Sequence, residues 1–416
     1  MGLEQRVAAA VADVAAGRAV VVVGGEDRDD EGDLIFAAER ATPELVAFTV
    51  RHTSGYLCAS LTGADCDRLA LPPMHPADQD RRGTAHRVTV DARDGVTTGI
   101  SAADRARTMR LLADPGSAAA DFTRPGHVVP LRAVPGGVLR KCGSREAAVD
   151  LAVLAGLRPV GVLAGIVSQR DPGGMARGEE LCAFATEYGL PLLSIADLVA
   201  YRRRVEPQVV PAARAQLPTA HGPFVAVGYD SLYEEVEHIA LVCGDLDDGA
   251  DVLLRIHAEC LTGDVLGSLR CSCAARLDAA QAAIAEHGQG VLVYRRGRAG
   301  RRRGMLRTLQ DYQRRDVRGC TGDQRTADPA DTIEDDAAVA HILRDLGVRS
   351  VRLLADGSDA DGAERGLQQA GIRVLGRHPL NPAPAFGEPS SRSRVPSVTM
   401  LPTPVDGAIN LILDFA

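Results

Sequence analysis

Residues 259–273 read ECLTGDVLGSLRCSC, which sets three of the chain's nine cysteines in one short stretch, at Cys260, Cys271 and Cys273. Spacing alone leaves two readings. Three thiols can be small, buried hydrophobes filling a core. They can also be the ligands of a catalytic zinc, which usually keeps three protein ligands and an open fourth position. The Leu-Thr-Gly-Asp that follows Cys260 supplies the turn needed to bring it back to the close pair Cys271 and Cys273.

At 416 residues the chain is too long for one ordinary core, so two domains are expected. Hydrophobic residues make up 45% and charged residues 25%, the balance of a soluble globular protein. Aromatics are only 3% and Trp is absent, so the cores must be built from Ala, Val and Leu. A net charge of −8 argues against a nucleic-acid partner, since general nucleic-acid binders are basic. No apolar run nears the roughly 18 residues of a membrane span, and the start shows no signal-peptide pattern. The expectation is a cytoplasmic protein with no membrane contact, and an odd number of irregularly spaced cysteines suits reduced thiols.

Helical spacing in LEQRVAAAVADVAAG (3–17) gives way to the strand, glycine turn and acidic loop of RAVVVVGGEDRDDEGDLIFAAE (18–39). Apolar runs at GYLCASL, HRVTVDA, GVLAGIV and PLLSI alternate with helical patterns such as REAAVDLAVLAGL and GEELCAFATEYGL. That mixture predicts an α/β (α+β) first domain over 1–204. Three prolines and little periodicity mark 205–222 as a linker. A second α/β domain is expected over 223–380, followed by a Pro/Ser-rich tail over 381–416 without a core of its own.

RIHAECLTGDVLGSLRCSC (255–273), with EHIALV before it and AHILRDLGVRSVRLL after it, closely resembles the zinc-dependent GTP cyclohydrolase II family over about 208–376. The resemblance implies that Cys260, Cys271 and Cys273 bind Zn²⁺, which there activates water to open the guanine imidazole ring and release formate. Tyr312 matches a nucleotide-site tyrosine, with packing as its alternative. The sequence also departs from the family. Where the family has Gln-Glu-Gly-Arg after a strand ending in Tyr, RRGRAGRRRGML follows Tyr294, with Arg295, Arg296, Arg298, Arg301, Arg302 and Arg303. That loop can clamp phosphate or be a solvated basic loop. If Asp331 matches the family's catalytic Asp, Ile333 stands where its Arg should be, and Ala355 replaces a family Thr.

EDRDDEGDLIFAAE (26–39), VTTGISAADR (96–105) and TRPGHVVPLRA (123–133) resemble 3,4-dihydroxy-2-butanone 4-phosphate synthase over about 5–204. Fusions of that synthase to GTP cyclohydrolase II are bifunctional enzymes of riboflavin synthesis, typically homodimers. The resemblance implies cleavage of ribulose 5-phosphate with Mg²⁺, a carboxylate base and loss of formate. The family's Arg-Glu-Asn-Glu-Gly-Asp becomes Arg28-Asp29-Asp30-Glu31-Gly32-Asp33, so Asp29 replaces a metal-binding Glu. Ser144 replaces a metal-binding His, Arg145 the Thr beside it, and Gly165 a catalytic Glu. A Mg²⁺ site left with Asp29 and water would be weak, although Glu31 or Asp33 could compensate. Asp29, Glu31 and Cys58 remain as catalytic candidates, and Arg28, Asp33, Thr98, Asp104, Arg105, Lys141 and Arg145 join Tyr312 as candidates for substrate binding. His52 and His127 are read as structural hydrogen-bonding residues.

Because the replacements fall on catalytic positions in both domains, the sequence favours a divergent enzyme repurposed for another phosphorylated sugar or nucleotide, its ordinary reactions lost or strongly reduced. The alternatives are a non-catalytic ligand-binding or regulatory homologue, and an ordinary active riboflavin enzyme.

Overall fold

The computed structural model describes residues 2–24, 31–75, 85–171, 173–296, 308–310, 312–314, 336–355 and 358–380. The chain forms two compact units, Met1–Pro207 and Gln208–Ala416. Among the described residues no helix is long and apolar enough to cross a membrane.

The first unit is a seven-stranded mixed sheet. Its strands are β1 (Val20–Val23), β2 (Gly32–Ala37), β3 (Cys58–Leu61), β4 (Val90–Ala92), β5 (Phe122–Arg132), β6 (Val160–Gly165) and β7 (Leu192–Ser194), in the spatial order β4-β5-β3-β6-β2-β1-β7. Pairs β1–β7 and β3–β5 run parallel and the others antiparallel. β2 and β3 are buried at every position, which is why they read as continuous apolar runs rather than alternating ones. The helices are α1 (Leu3–Ala15), α2 (Pro43–His52), α3 (Gly63–Arg68), α4 (Ala102–Ala113), α5 (Ser144–Leu154), α6 (Glu179–Tyr188) and α7 (Ile195–Val205). Thr42, Thr62, Ser101 and Ser194 cap α2, α3, α4 and α7 by accepting from a backbone N–H three residues on. Leu34, Phe36, Leu61, Met109 and Leu112 are fully buried in the core between sheet and helices.

The second unit has its own seven-stranded sheet, built from β8 (Val209–Thr219), β9 (Gly222–Ser231), β10 (Glu237–Cys243), β11 (Val252–Ala258), β12 (Gly290–Arg295), β13 (Ser350–Leu354) and β14 (Arg373–His378). The order is β14-β13-β11-β12-β10-β9-β8, parallel from β14 to β12 and antiparallel from β12 to β8. α8 (Cys273–His287) makes the crossover from β11 to β12, with α9 (Asp336–Asp345) and α10 (Ser358–Gln369) before and after β13.

One expectation is corrected here. Residues 209–219 are not a linker but strand β8, paired to β9 along its length. β8 lies at the sheet edge with nearly every residue exposed, so Pro211 and Pro218 are tolerated and the hydrophobic signal is missing. The tail over 381–416 lies outside the described residues.

Candidate functional site

Cys260 lies just beyond the C-terminal end of β11, in the parallel part of the second sheet, the end at which open α/β sheets place ligands. The chain then turns through a wide five-residue helical turn, Leu261–Val265, where the Leu266 N–H reaches the Leu261 carbonyl at 3.1 Å. Cys271 follows this turn and Cys273 opens α8. The three sulfurs lie within 4.8 Å of one another, with Cys260 and Cys271 3.7 Å apart. Two ligands of a tetrahedral zinc with Zn–S bonds of about 2.3 Å stand about 3.8 Å apart, so this spacing fits the ion. Gly263 makes the approach possible: a Cβ there would lie 2.6 Å from Cys271 Sγ and 2.9 Å from Cys273 Cβ. Burial pushes the Cys271 thiol above its ordinary pKa, with neighbouring Cys260 adding to the rise and Cys273 opposing it. A cation is what would stabilise the thiolates. The donor set and the glycine cradle therefore fit zinc.

Around this cluster, the Thr262 hydroxyl lies 3.6 Å from Cys260 Sγ and 3.3 Å from the Tyr312 hydroxyl. The Arg270 guanidinium covers the Tyr312 ring, 4.9 Å from its centroid. The structure thus brings Tyr312 next to the thiols. The Asp264 side chain is buried, with both carboxylate oxygens 3.1 Å from His257 Nε2. Its Oδ2 also accepts the Cys260 N–H at 2.8 Å and the Tyr294 hydroxyl at 3.0 Å. Burial pushes the Asp264 carboxyl up, but the His257 contact and these hydrogen bonds outweigh it and hold its pKa below the usual range. Burial and the Asp264 carboxylate both push the Tyr294 phenol up. Arg296 at the end of β12 approaches Glu237 and Glu259 at 3.4 Å each. Arg298, Arg301, Arg302, Arg303, Asp331 and Ile333 lie outside the described residues.

In the first unit, Arg28 and Asp29 lie outside the described residues. Glu31 forms an ion pair with Arg177 at 2.7 Å, and Asp33 is buried on β2. Gly165 on β6 is the register partner of Asp33, and a Cβ there would stand 2.5 Å from Met175 Cε. The Met175 methyl thus occupies the room where a longer side chain at 165 would begin. Cys58 is buried on β3, its thiol donating weakly to the Tyr56 carbonyl at 3.9 Å. Ser144 opens α5. Arg145 behind it is buried, and its Nε donates to Glu146 at 2.7 Å, so a buried carboxylate compensates its charge. Lys141 is half-buried in the preceding turn.

The Asp104 carboxylate accepts from Thr97 N and Oγ1, at 3.1 and 2.7 Å, and from Gly99 N at 3.1 Å. It thereby closes the 97–101 turn and leaves Thr98 exposed. Arg105 donates to the Gly55 carbonyl at 3.3 Å; burial lowers its pKa and Asp91 opposes the fall. Sequence reasoning gave Asp91 no role, yet its carboxylate holds the His127 ring Nδ1 at 2.7 Å and accepts the His127 N–H at 2.8 Å. Gly99 packs so tightly against this pair that a Cβ would lie 2.0 Å from Asp91 Oδ2. A buried acid within the apolar run HRVTVDA was the available signal. His52 instead packs among Phe48, Phe184 and Tyr188, with ring centroids 4.6–5.7 Å away.

Two family models match in tandem, 3,4-dihydroxy-2-butanone 4-phosphate synthase over residues 8–201 and GTP cyclohydrolase II over 210–379. Riboflavin biosynthesis protein RibBA of Nocardia farcinica is 59% identical over 374 residues, 89% of each chain. The chain belongs to the RibBA family. The RibBA of Mycobacterium tuberculosis is 57% identical over 378 residues, covering 89% of this chain and 88% of its own. Among solved structures, RibBX of A. baumannii, a two-domain 3,4-dihydroxy-2-butanone 4-phosphate synthase, matches with a TM-score of 0.66 and 31% identity, over 89% of this chain and 99% of its own.

These relatives correct the expectation of a divergent, repurposed member. Proteins 57–59% identical across nearly nine-tenths of the chain carry the ordinary RibBA name. The RibBA family is one of enzymes, with a synthase and a cyclohydrolase domain, and the non-catalytic reading is set aside with the repurposed one.

Proposed function

We propose that this chain is a bifunctional enzyme of riboflavin biosynthesis, acting on ribulose 5-phosphate in its first unit and on GTP in its second. The observation that carries the reading is the 59% identity to a RibBA spanning both units. In the second unit Cys260, Cys271 and Cys273 would hold zinc, which when bound supplies Lewis-acid chemistry at an open position. Tyr312, which touches Thr262 beside the thiols and is covered by Arg270, would contact the nucleotide. In the first unit the Asp91–His127 pair can hold or pass a proton, with Arg105 and Thr98 close by for the substrate's anionic end. The Mg²⁺ that the synthase resemblance implies would be held in part by Asp29, which lies outside the described residues. A homodimer is the expected assembly, checked by light scattering.

Purified protein is incubated separately with ribulose 5-phosphate and with GTP, and formate is followed in each. Formate from both supports the proposal. Formate from ribulose 5-phosphate alone would make the chain a two-domain synthase, and formate from neither would overturn the reading.

A further inference from the structure

We propose that Asp264 is the positioning residue of the thiol centre, locking the Cys260 turn in the geometry that lets three sulfurs face one point. The inference rests on the zinc reading above and adds a residue that is not itself a ligand. Its side chain is only 3% exposed, as is that of His257. Donors from three places converge on the carboxylate: the Cys260 N–H at 2.8 Å, the Tyr294 hydroxyl at 3.0 Å and His257 Nε2 at 3.1 Å. A carboxylate only accepts, so His257 is the donor in that pair.

His257 and Tyr294 are register partners on the parallel strands β11 and β12, their rings stacked with centroids 5.5 Å apart. The sheet thus offers a rigid pair of donors, and Asp264 couples that pair to the backbone of a metal ligand. His257 Nδ1 is buried and has no hydrogen-bond partner among the described residues, so the ring is held by its Nε2 contact with Asp264 and by stacking on Tyr294. The turn after Cys260 holds itself by backbone hydrogen bonds, from Asp264 N to the Cys260 carbonyl at 2.6 Å and from Ser268 N to the Thr262 carbonyl at 2.8 Å, and the Asp264 carboxylate fastens that turn and the Cys260 N–H to the sheet. Groups that orient the ligands of a metal carry much of its affinity.

The test uses the full chain as Asp264→Ala, Asp264→Asn and Tyr294→Phe, with Cys271→Ser as the ligand control. Zinc affinity is read by competition with a chelator, and geometry by the thiolate charge-transfer and d–d bands of the Co²⁺-loaded protein. Asp264→Ala should weaken zinc roughly 10- to 100-fold and change the Co²⁺ spectrum. Asp264→Asn should be weakened less than Asp264→Ala, because an amide oxygen still serves Cys260 and Tyr294 although its NH₂ meets the His257 Nε2 donor. Tyr294→Phe should cost a few-fold. Wild-type affinity and spectrum in Asp264→Ala would overturn the proposal, as would an Asn variant as weak as Ala, since charge and not placement would then be at work. If Asp264→Ala does not fold, Tyr294→Phe decides, and unchanged affinity there overturns it. If the wild type holds no zinc that Cys271→Ser removes, the zinc reading itself fails and the inference falls with it.

Discussion

The thiol centre draws its sulfurs from one continuous stretch, 260–273, folded over Gly263, whereas the candidate groups of the first unit arrive from β2, β3, β4, the 97–105 turn, β5 and the start of α5. In the first arrangement, sequence spacing and spatial distance are nearly the same thing. In the second, sheet register sets who meets whom: Asp33 faces Gly165, and Asp91 reaches His127 only because β4 pairs with β5. A local site stands or falls with single residues of its loop. A dispersed one is held by the whole core and should respond to single changes more gradually.

Replacing Cys271 by Ser should show that contrast at its strongest, lowering zinc from about one ion per chain to near zero by metal analysis and abolishing formate release from GTP. Formate release from ribulose 5-phosphate should be unchanged. Gly263→Ala comes next. Its Cβ would press to 2.6 Å from Cys271 Sγ, and chelator competition should show zinc weakened at least as much as the roughly 10- to 100-fold typical of changes around a metal's ligands. Zinc binding at wild-type strength would mean that the loop is softer than the comparison assumes.

In the first unit, Arg145→Ala removes the ion-pair partner of the buried Glu146 carboxylate and leaves it the Val134 N–H, and urea unfolding should show a loss of about 3 kcal/mol. A smaller and pH-dependent effect is expected at Asp104. Hydrogen bonding from the Thr97 hydroxyl lowers its pKa; burial opposes this, and the Thr97 and Gly99 N–H groups reinforce it. A carboxyl depressed on folding contributes stability that is fully present above its unfolded pKa of about 3.9 and is lost as pH falls through the folded value. The stability gap between wild type and Asp104→Asn should therefore hold steady from about pH 5 upward and shrink below about pH 4. Least of all, Thr98→Ala on the exposed turn should leave stability within about 0.5 kcal/mol while raising the KM for ribulose 5-phosphate a few-fold.

The same contrast explains what could be read from the chain beforehand. The gathering of Cys260, Cys271 and Cys273 was legible because a short loop leaves few ways to arrange three thiols. The alternation of apolar strands and helices was legible from periodicity and capping residues such as Ser101 and Ser194. β8 was not, since an exposed edge strand with two prolines has neither burial nor alternation to announce it. The Asp91–His127 pair needed β4–β5 register, which no local pattern carries. The ion pair of Arg145 with the buried Glu146, the next residue along the helix, was not legible either, since two adjacent charged residues carry no local sign of being buried together. The functional expectation fails for a related reason: single motif positions weigh less than an identity that runs through both units over 89% of the chain.

The 3.7 Å between the sulfurs of Cys260 and Cys271 also bears on how the second unit meets oxidants. A disulfide needs the two at about 2.05 Å with a Cβ–S–S–Cβ dihedral near 90°, and where the loop can reach that geometry, oxidation of a metal-free centre would lock it against metal. A filled one engages both sulfurs and keeps them apart. The proposed metal would thus guard the thiols, and air exposure of the metal-free protein should block metal uptake until a reductant reopens the pair.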